Sequence, residues 1–248
     1  MDLLFVWNFL LSLIFQPLFG KPFFYWSFIS LALLAWMILL RITASTLVGK
    51  PIIQKMLKNK ISTFYFPYFP AIDYLLIITF LYAWTHVPLF FPAYFIFFSA
   101  LVITIHTDMQ YMLISRFVSI YLVPTGIALS FLGLTAIDPL ESTISAIAGY
   151  AFLWIINKIF YMIKKHDGLG QGDLDLLAFI GSFVGLVGLW ITILVGSTLG
   201  TVIGCGYMLH SKKTIPVVPF GLFLAVAAMF FVTFQSLIFS YIASHTTL

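Results

Sequence analysis

Charge is scarce in this sequence: Asp, Glu, Lys and Arg make up 8% of its 248 residues, against roughly 25% in a soluble domain. So little charge cannot cover a water-facing surface, which excludes a soluble globular protein and puts the chain in lipid. Cysteine is scarcer still. The single Cys205 lies in an apolar stretch, which rules out an internal disulfide framework and a cysteine-rich zinc site and leaves packing as its expected role. No two histidines stand at H-x-x-x-H spacing and no Walker lysine follows the glycines, so the common zinc-hydrolase and P-loop patterns are missing. Met1 to Phe19 carries Asp2 where a signal peptide has basic residues and offers no A-x-A site, so that segment reads as mature protein. Nor is any polar interval long enough for a separate water-soluble domain of about 100 residues.

What the sequence has is hydrophobicity from end to end: 62% apolar residues and a mean hydropathy of +1.11. Runs matching the roughly 20 residues that cross hydrocarbon fall near 3–19, 22–40, 71–87, 89–107, 117–137, 142–163, 174–190, 191–210 and 219–241. The expected fold is all-α, a polytopic transmembrane helix bundle with about eight or nine spans. The count leaves 3–19 open, since Pro17 and Gly20 also suit a re-entrant or interfacial segment. A formal charge of +4 suggests nucleic acid only until the positions of the cations are considered. Arg41, Lys50, Lys55, Lys58 and Lys60, then Arg116, then Lys164 and Lys165, then Lys212 and Lys213 occupy alternate gaps, which makes those gaps cytoplasmic and removes any need for a nucleic-acid partner. Trp84 and Trp190 then fall near outer span ends, where indoles favour the headgroup level.

Eight carboxylates remain, and an acid in or beside a span costs about 2.5–3.5 kcal/mol on insertion scales. Asp2 is terminal, and Asp138 and Glu141 stand where a helix begins, with capping as their expected role. Asp108, Asp167, Asp173 and Asp175 share one depth, at the cytoplasmic ends of spans four, six and seven. Gly168-Leu169-Gly170-Gln171-Gly172-Asp173 returns the chain from a basic end to lipid. Its alternate glycines let backbone approach another element closely and set a carboxylate at the mouth of a helix. Asp173 alone would read as a helix N-cap after a flexible linker, and G-x-G-x-G without a preceding strand is no dinucleotide fingerprint. Asp175, about 200° around a helix from Asp173, cannot face the same partner. Asp108 closes span four with no charged neighbour before Arg116, and adjacent His106 is expected to pack. Two carboxylates brought together hold one proton between them and so supply an acid and a base. No serine, histidine or metal constellation competes. Asp108 and Asp173 are therefore the candidate catalytic pair, with Gly168, Gly170 and Gly172 shaping the site.

These residues resemble the type IV leader peptidase family, the prepilin leader peptidases of bacterial inner membranes. Gly168 to Asp173 followed by Leu176-Leu177-Ala178 is similar to the family's G-x-G-x-G-D and L-L-A signature with its G-x-G-D core, and Asp108-Met109-Gln110-Tyr111-Met112-Leu113-Ile114 to its first aspartate stretch. Val218-Pro219-Phe220-Gly221-Leu222-Phe223-Leu224-Ala225 is similar to its P-F-G-P-F-L-A stretch, and Pro70-Ala71-Ile72-Asp73 faintly to its Y-P-x-x-E. The resemblance covers residues 65–230 or so. It implies an aspartyl endopeptidase that cuts basic leaders from prepilins or pseudopilins at the cytoplasmic face, with Pro219, Phe220 and Gly221 shaping the site. It divides the chain into N-terminal hydrophobic segments with a basic loop, 1–69, and a membrane-embedded peptidase domain, 70–248. The family's cysteine pairs have no counterpart in Arg41 to Phe69, so no zinc is expected there and none for peptidase activity. S-adenosylmethionine is implied only if the methyltransferase activity of many relatives is retained. Ser115-Arg116 stands where the family often has Pro and Asp or Asn, and Asp175 where it often has lysine. Membrane lipid is the expected companion of the basic loop. Intramembrane acids alone would also suit a transporter, and a catalytically silent relative would bind prepilins as an assembly partner; the motif context and the two retained aspartates favour the peptidase.

This charge pattern predicts that 41–68, 108–116, 164–173 and 211–218 face the cytoplasm. A cysteine replacing Lys58 or Lys164 should resist an impermeant thiol reagent in intact cells and react after permeabilisation; efficient labelling from outside would reverse the topology.

Overall fold

The computed structural model describes residues 23–48, 69–87, 93–211 and 219–246. Regular structure among these is helical throughout: α1 (Phe23–Val48), α2 (Phe69–His86), α3 (Phe95–Tyr111), α4 (Val123–Phe131), α5 (Pro139–Lys164), α6 (Gln171–Ser211) and α7 (Phe220–Thr246), with two 3-10 turns at Arg116–Val118 and Ile120–Leu122. Pro139–Lys164, Gln171–Gly206 and Phe220–Ser240 are long and apolar enough to cross a membrane, Leu31–Ala44 and Phe95–Met109 are shorter apolar helical stretches, and Arg116–Phe131 is an apolar stretch of two 3-10 turns and α4. The expected eight or nine spans include 3–19, which lies outside the described residues, as do 49–68 of the basic loop and 212–218.

Helix α5 shows what solvent the fold is built for. Its buried face is Ser142, Ser145, Ala146, Gly149 and Leu153, while Ile147 and Ile163 on the other side are 65% and 71% exposed. Small residues inward and large apolar ones outward is the arrangement of helices that pack in lipid, where close backbone approach drives association. Gly149 and Gly181 make that approach: β-carbons there would meet the carbonyl groups of Leu177 and Ser145 across the interface. Ser142 Oγ donates to the Ser182 carbonyl at 2.7 Å, and these pairings run α5 antiparallel to the first half of α6.

An unbroken helix of 41 residues would measure about 60 Å, twice the hydrocarbon thickness. It is broken at Gly185, whose φ of 73° is non-helical and lies in the region that only glycine enters freely. Ser197, Gly200 and Thr201 line the same cavity as Gly168 to Asp173, so 186–211 folds back beside 171–184. Contacts of Gly188 with Phe231 and of Gly196 with Leu224 pack that second half antiparallel to α7. The sequence-based boundary at 190/191 is thus displaced to Gly185. Trp190 lies inside the returning half, edge-on to Phe152 at 4.9 Å; a continuous apolar run carries no mark of its own turning point. Glu141 serves this turn, accepting from Leu186 N at 3.3 Å, while Asp138 occupies the α5 N-cap position without a side-chain cap bond.

The expected span 117–137 is not one helix. It climbs from Arg116, paired with Asp175, past Gly126 against Ser182 and Phe183, to Ala136, whose N–H donates to Tyr94 Oη. Two 3-10 turns and the nine-residue α4 make the climb, with Pro124 at the start of α4, where its missing N–H costs nothing. Depth elsewhere is set by aromatic rings. Phe97 of α3 stacks on Phe183 at 4.9 Å and meets Phe179 at 5.3 Å. From this cluster α3 descends from Phe97 to Asp108, and α6 from Phe183 to Asp173, by nearly equal rises of about 15 Å.

Gly185→Ala should be destabilising, because alanine is strained at positive φ and its β-carbon would strike Glu141. A cost on the order of 1–3 kcal/mol should appear as a lower unfolding midpoint in detergent; an unchanged midpoint would contradict the turn.

Candidate active site

Asp108 sits in the last turn of α3 and is 5% exposed. Met112 ends the helix in the left-handed region at φ 51° and returns its N–H to the Asp108 carbonyl. The carboxylate points at the start of α7, where Oδ2 accepts from Leu222 N at 2.8 Å and the Gly221 backbone also hydrogen-bonds it. The first amides of a helix have no partner within it and carry its positive dipole end, so they form a natural carboxylate site. Pro219 precedes that helix start, and Gly221 keeps it open. A β-carbon there would lie 3.1 Å from Asp108 Oδ2 and 2.5 Å from Ile114 Cδ1.

Asp173 lies in the first turn of α6, its N–H donating to the Gly170 carbonyl at 3.2 Å and its carboxylate hydrogen-bonded by the Gly170 backbone. The glycine loop before it is fastened to α5 by Asn157. Asn157 Oδ1 accepts from Gly168 N at 2.9 Å and Leu169 N at 3.1 Å, and Nδ2 donates to Asp167 Oδ1 at 3.2 Å. Gly168 lies flat on Phe160, and Gly172 on Ile114: β-carbons would come within 2.7 Å and 2.8 Å of those side chains. Sequence reasoning missed Asn157, although an amide inside an otherwise apolar span was a visible signal. Ile114 closes the Asp108 stretch of the resemblance, but the sequence assigns it no role.

Asp108 and Asp173 line one cavity of about 720 Å³, close enough for their charges to interact. Gly168, Gly170, Gly172, Pro219 and Phe220 line it too, and Gly221 adjoins it through Asp108. The remaining acids of that depth are turned elsewhere: Asp167 to Asn157 and Asp175 to Arg116 at 3.1 Å. His106 is buried and is not among the residues that line the cavity. Among the described residues no three His, Cys, Asp or Glu gather into a metal-binding group. The arrangement is chemically simple: two carboxylates, one of them held by helix-terminal amides, at the wall of a cavity large enough for a stretch of peptide and water.

Comparison with known proteins bears on the same stretch. The model of the type IV leader peptidase family matches residues 95–205. A prepilin leader peptidase/N-methyltransferase of Aeromonas salmonicida is 34% identical over 125 residues, 48% of this chain and 41% of the relative. Proteins of the same description from Aeromonas hydrophila and Pseudomonas putida are 37% identical over 91 residues and 32% over 104, covering 30% and 35% of those relatives. The chain thus spans about two fifths or less of the length of these curated relatives. No solved structure gives a significant match. Residues 95–205, which hold both aspartates and the glycine loop between helices α5 and α6, are the part of the chain that is similar to the type IV leader peptidase family.

Proposed function

We propose that this chain is a membrane aspartyl endopeptidase of the G-x-G-D kind, removing short basic leaders from prepilins or pseudopilins at the cytoplasmic face of a bacterial inner membrane. The observation that carries the reading is the meeting of Asp108 and Asp173 in one cavity within the segment that matches the family. A multi-pass topology of eight or nine spans, with the basic gaps inside, puts that cavity at the depth where such a leader emerges.

The chemistry follows from the pair. One proton is shared by the two carboxylates. Asp108 Oδ2 is committed as an acceptor to the α7 amides, so the proton resides on its other oxygen or on Asp173. The ionised partner takes a proton from water while the protonated one hydrogen-bonds the scissile carbonyl oxygen. The hydroxide equivalent attacks the carbonyl carbon as the protonated carboxyl gives its proton to the carbonyl oxygen, forming a diol; on collapse the carboxyl that took the water proton passes it to the leaving nitrogen, and the diol returns a proton to the other carboxylate, so the pair again holds one. Gly168 and Gly172 let the loop backbone pack against Phe160 and Ile114, and Gly170, with Asp173 as its nearest neighbour, keeps the wall beside that carboxylate free of bulk for substrate unwound from its helix. The relatives are also named N-methyltransferases, an activity that would call on S-adenosylmethionine.

Purified full-length protein incubated in detergent with a prepilin should release the leader, seen as a mass loss. Asp108→Asn and Asp173→Asn should each lower turnover by about 10³-fold or more with membrane insertion unchanged. Near-normal turnover in either, or a wild-type protein that binds prepilin without cutting it, would refute the assignment. Asn157→Ala should lower turnover about tenfold by releasing the loop that carries Asp173, while Asn157→Asp, which keeps the acceptor for Gly168 and Leu169, should lose less. Equal loss in the two would show that the acceptor is not what matters.

A further inference from the structure

Asp175 is the buried acid that the proposed chemistry leaves unused. It is 1% exposed and turned away from the cavity, and a carboxylate so placed persists only with partners. It has two. Arg116 Nε donates to Oδ2 at 3.1 Å, and Gln171 Nε2 lies 3.3 Å from Oδ1 while also donating to Tyr150 Oη on α5 at 2.9 Å. Arg116, by contrast, is 61% exposed, so its position is not imposed by burial.

Arg116 ends a short strap that begins where α3 stops, one turn past Asp108. The strap leaves α3 through the left-handed Met112, and Met112, Leu113 and Ile114 form part of the cavity wall. Ile114 fills the space that Gly172 and Gly221 leave vacant. It therefore touches both the loop entering Asp173 and the helix start that holds Asp108. One end of the strap is tied to the Asp108 carbonyl through Met112 N at 2.9 Å. At the other, Ser119 Oγ bonds the Ser115 carbonyl within the strap's own continuation, and the side-chain tie to α6 is the Arg116 to Asp175 ion pair.

We propose that Arg116 and Asp175 are positioning residues for the aspartate pair. Their ion pair clamps the strap 112–115 to the first turn of α6, keeps Ile114 wedged between Gly172 and Gly221, and so holds Asp108 and Asp173 at a working separation. This rests on the peptidase reading, and the clamp is testable apart from it. In the full-length protein Arg116→Ala, a change at an exposed side chain, should lower kcat about ten- to a hundredfold with KM within about twofold, since the residue touches no substrate. The exchange variant Arg116→Asp/Asp175→Arg should cleave about fivefold or more faster than either of its single variants. Independently of activity, amide hydrogen exchange of residues 112–115 in detergent should speed up severalfold in Arg116→Ala. An Arg116→Ala enzyme with normal kcat, an exchange variant no faster than its singles, or amide exchange in 112–115 indifferent to Arg116 would each overturn the clamp. If the unaltered protein cuts no prepilin, the peptidase reading fails, and the amide exchange rate of 112–115 still decides whether the ion pair holds the strap.

Discussion

The hydrogen bonds from the first amides of α7 to Asp108 are the interaction on which the rest of the site depends. A carboxylate 5% exposed among apolar helices has lost water and needs donors in its place. A helix N-terminus supplies them without adding another charge. Meeting that need brings the end of α3 to the start of α7, although Asp108 and Leu222 are far apart in the chain, and it leaves the other side of Asp108 open to the cavity. Asp173 reaches the same cavity at the start of α6. Both aspartates therefore stand at helix ends, where backbone can serve them.

Close packing does the remaining work. Lipid offers no hydrophobic drive between helices, so contact comes from shape. Glycines at 149 and 181 seat α5 against α6, and glycines at 172 and 221 receive Ile114. The Phe97, Phe179 and Phe183 cluster holds α3 and α6 apart by a ring's width above the site, and below it the gap opens into the cavity. The turn at Gly185 returns the second half of α6 as the far wall, so a single long apolar run supplies both an aspartate and the surface facing it.

Much of the site was legible in the sequence because polar residues are few enough to count. Four acids at one depth, with glycines before one of them, named Asp108 and Asp173 as candidates, and the structure sets the glycine loop, Pro219 and Phe220 around one cavity with them and Gly221 against Asp108. Charge alternation also marked the gaps between helices. Turns within apolar stretches left no such mark: Gly185 hid inside a run that divides equally well at Trp190, and 117–137 satisfied the length rule while folding as two 3-10 turns and a short helix. Partnerships between distant polar residues were equally hidden. Arg116 and Asp175 were noted as separate departures from the family pattern, and they turn out to be each other's partner.

The central claim is that Asp108 and Asp173 act as one unit rather than as two independent contributors, and turnover of prepilin by the two Asp→Asn single variants and the double variant measures it directly. Residues that perform two halves of one proton traffic are strongly non-additive, so the double variant should be scarcely slower than either single one. A double variant slower by the product of the two single losses would contradict the account.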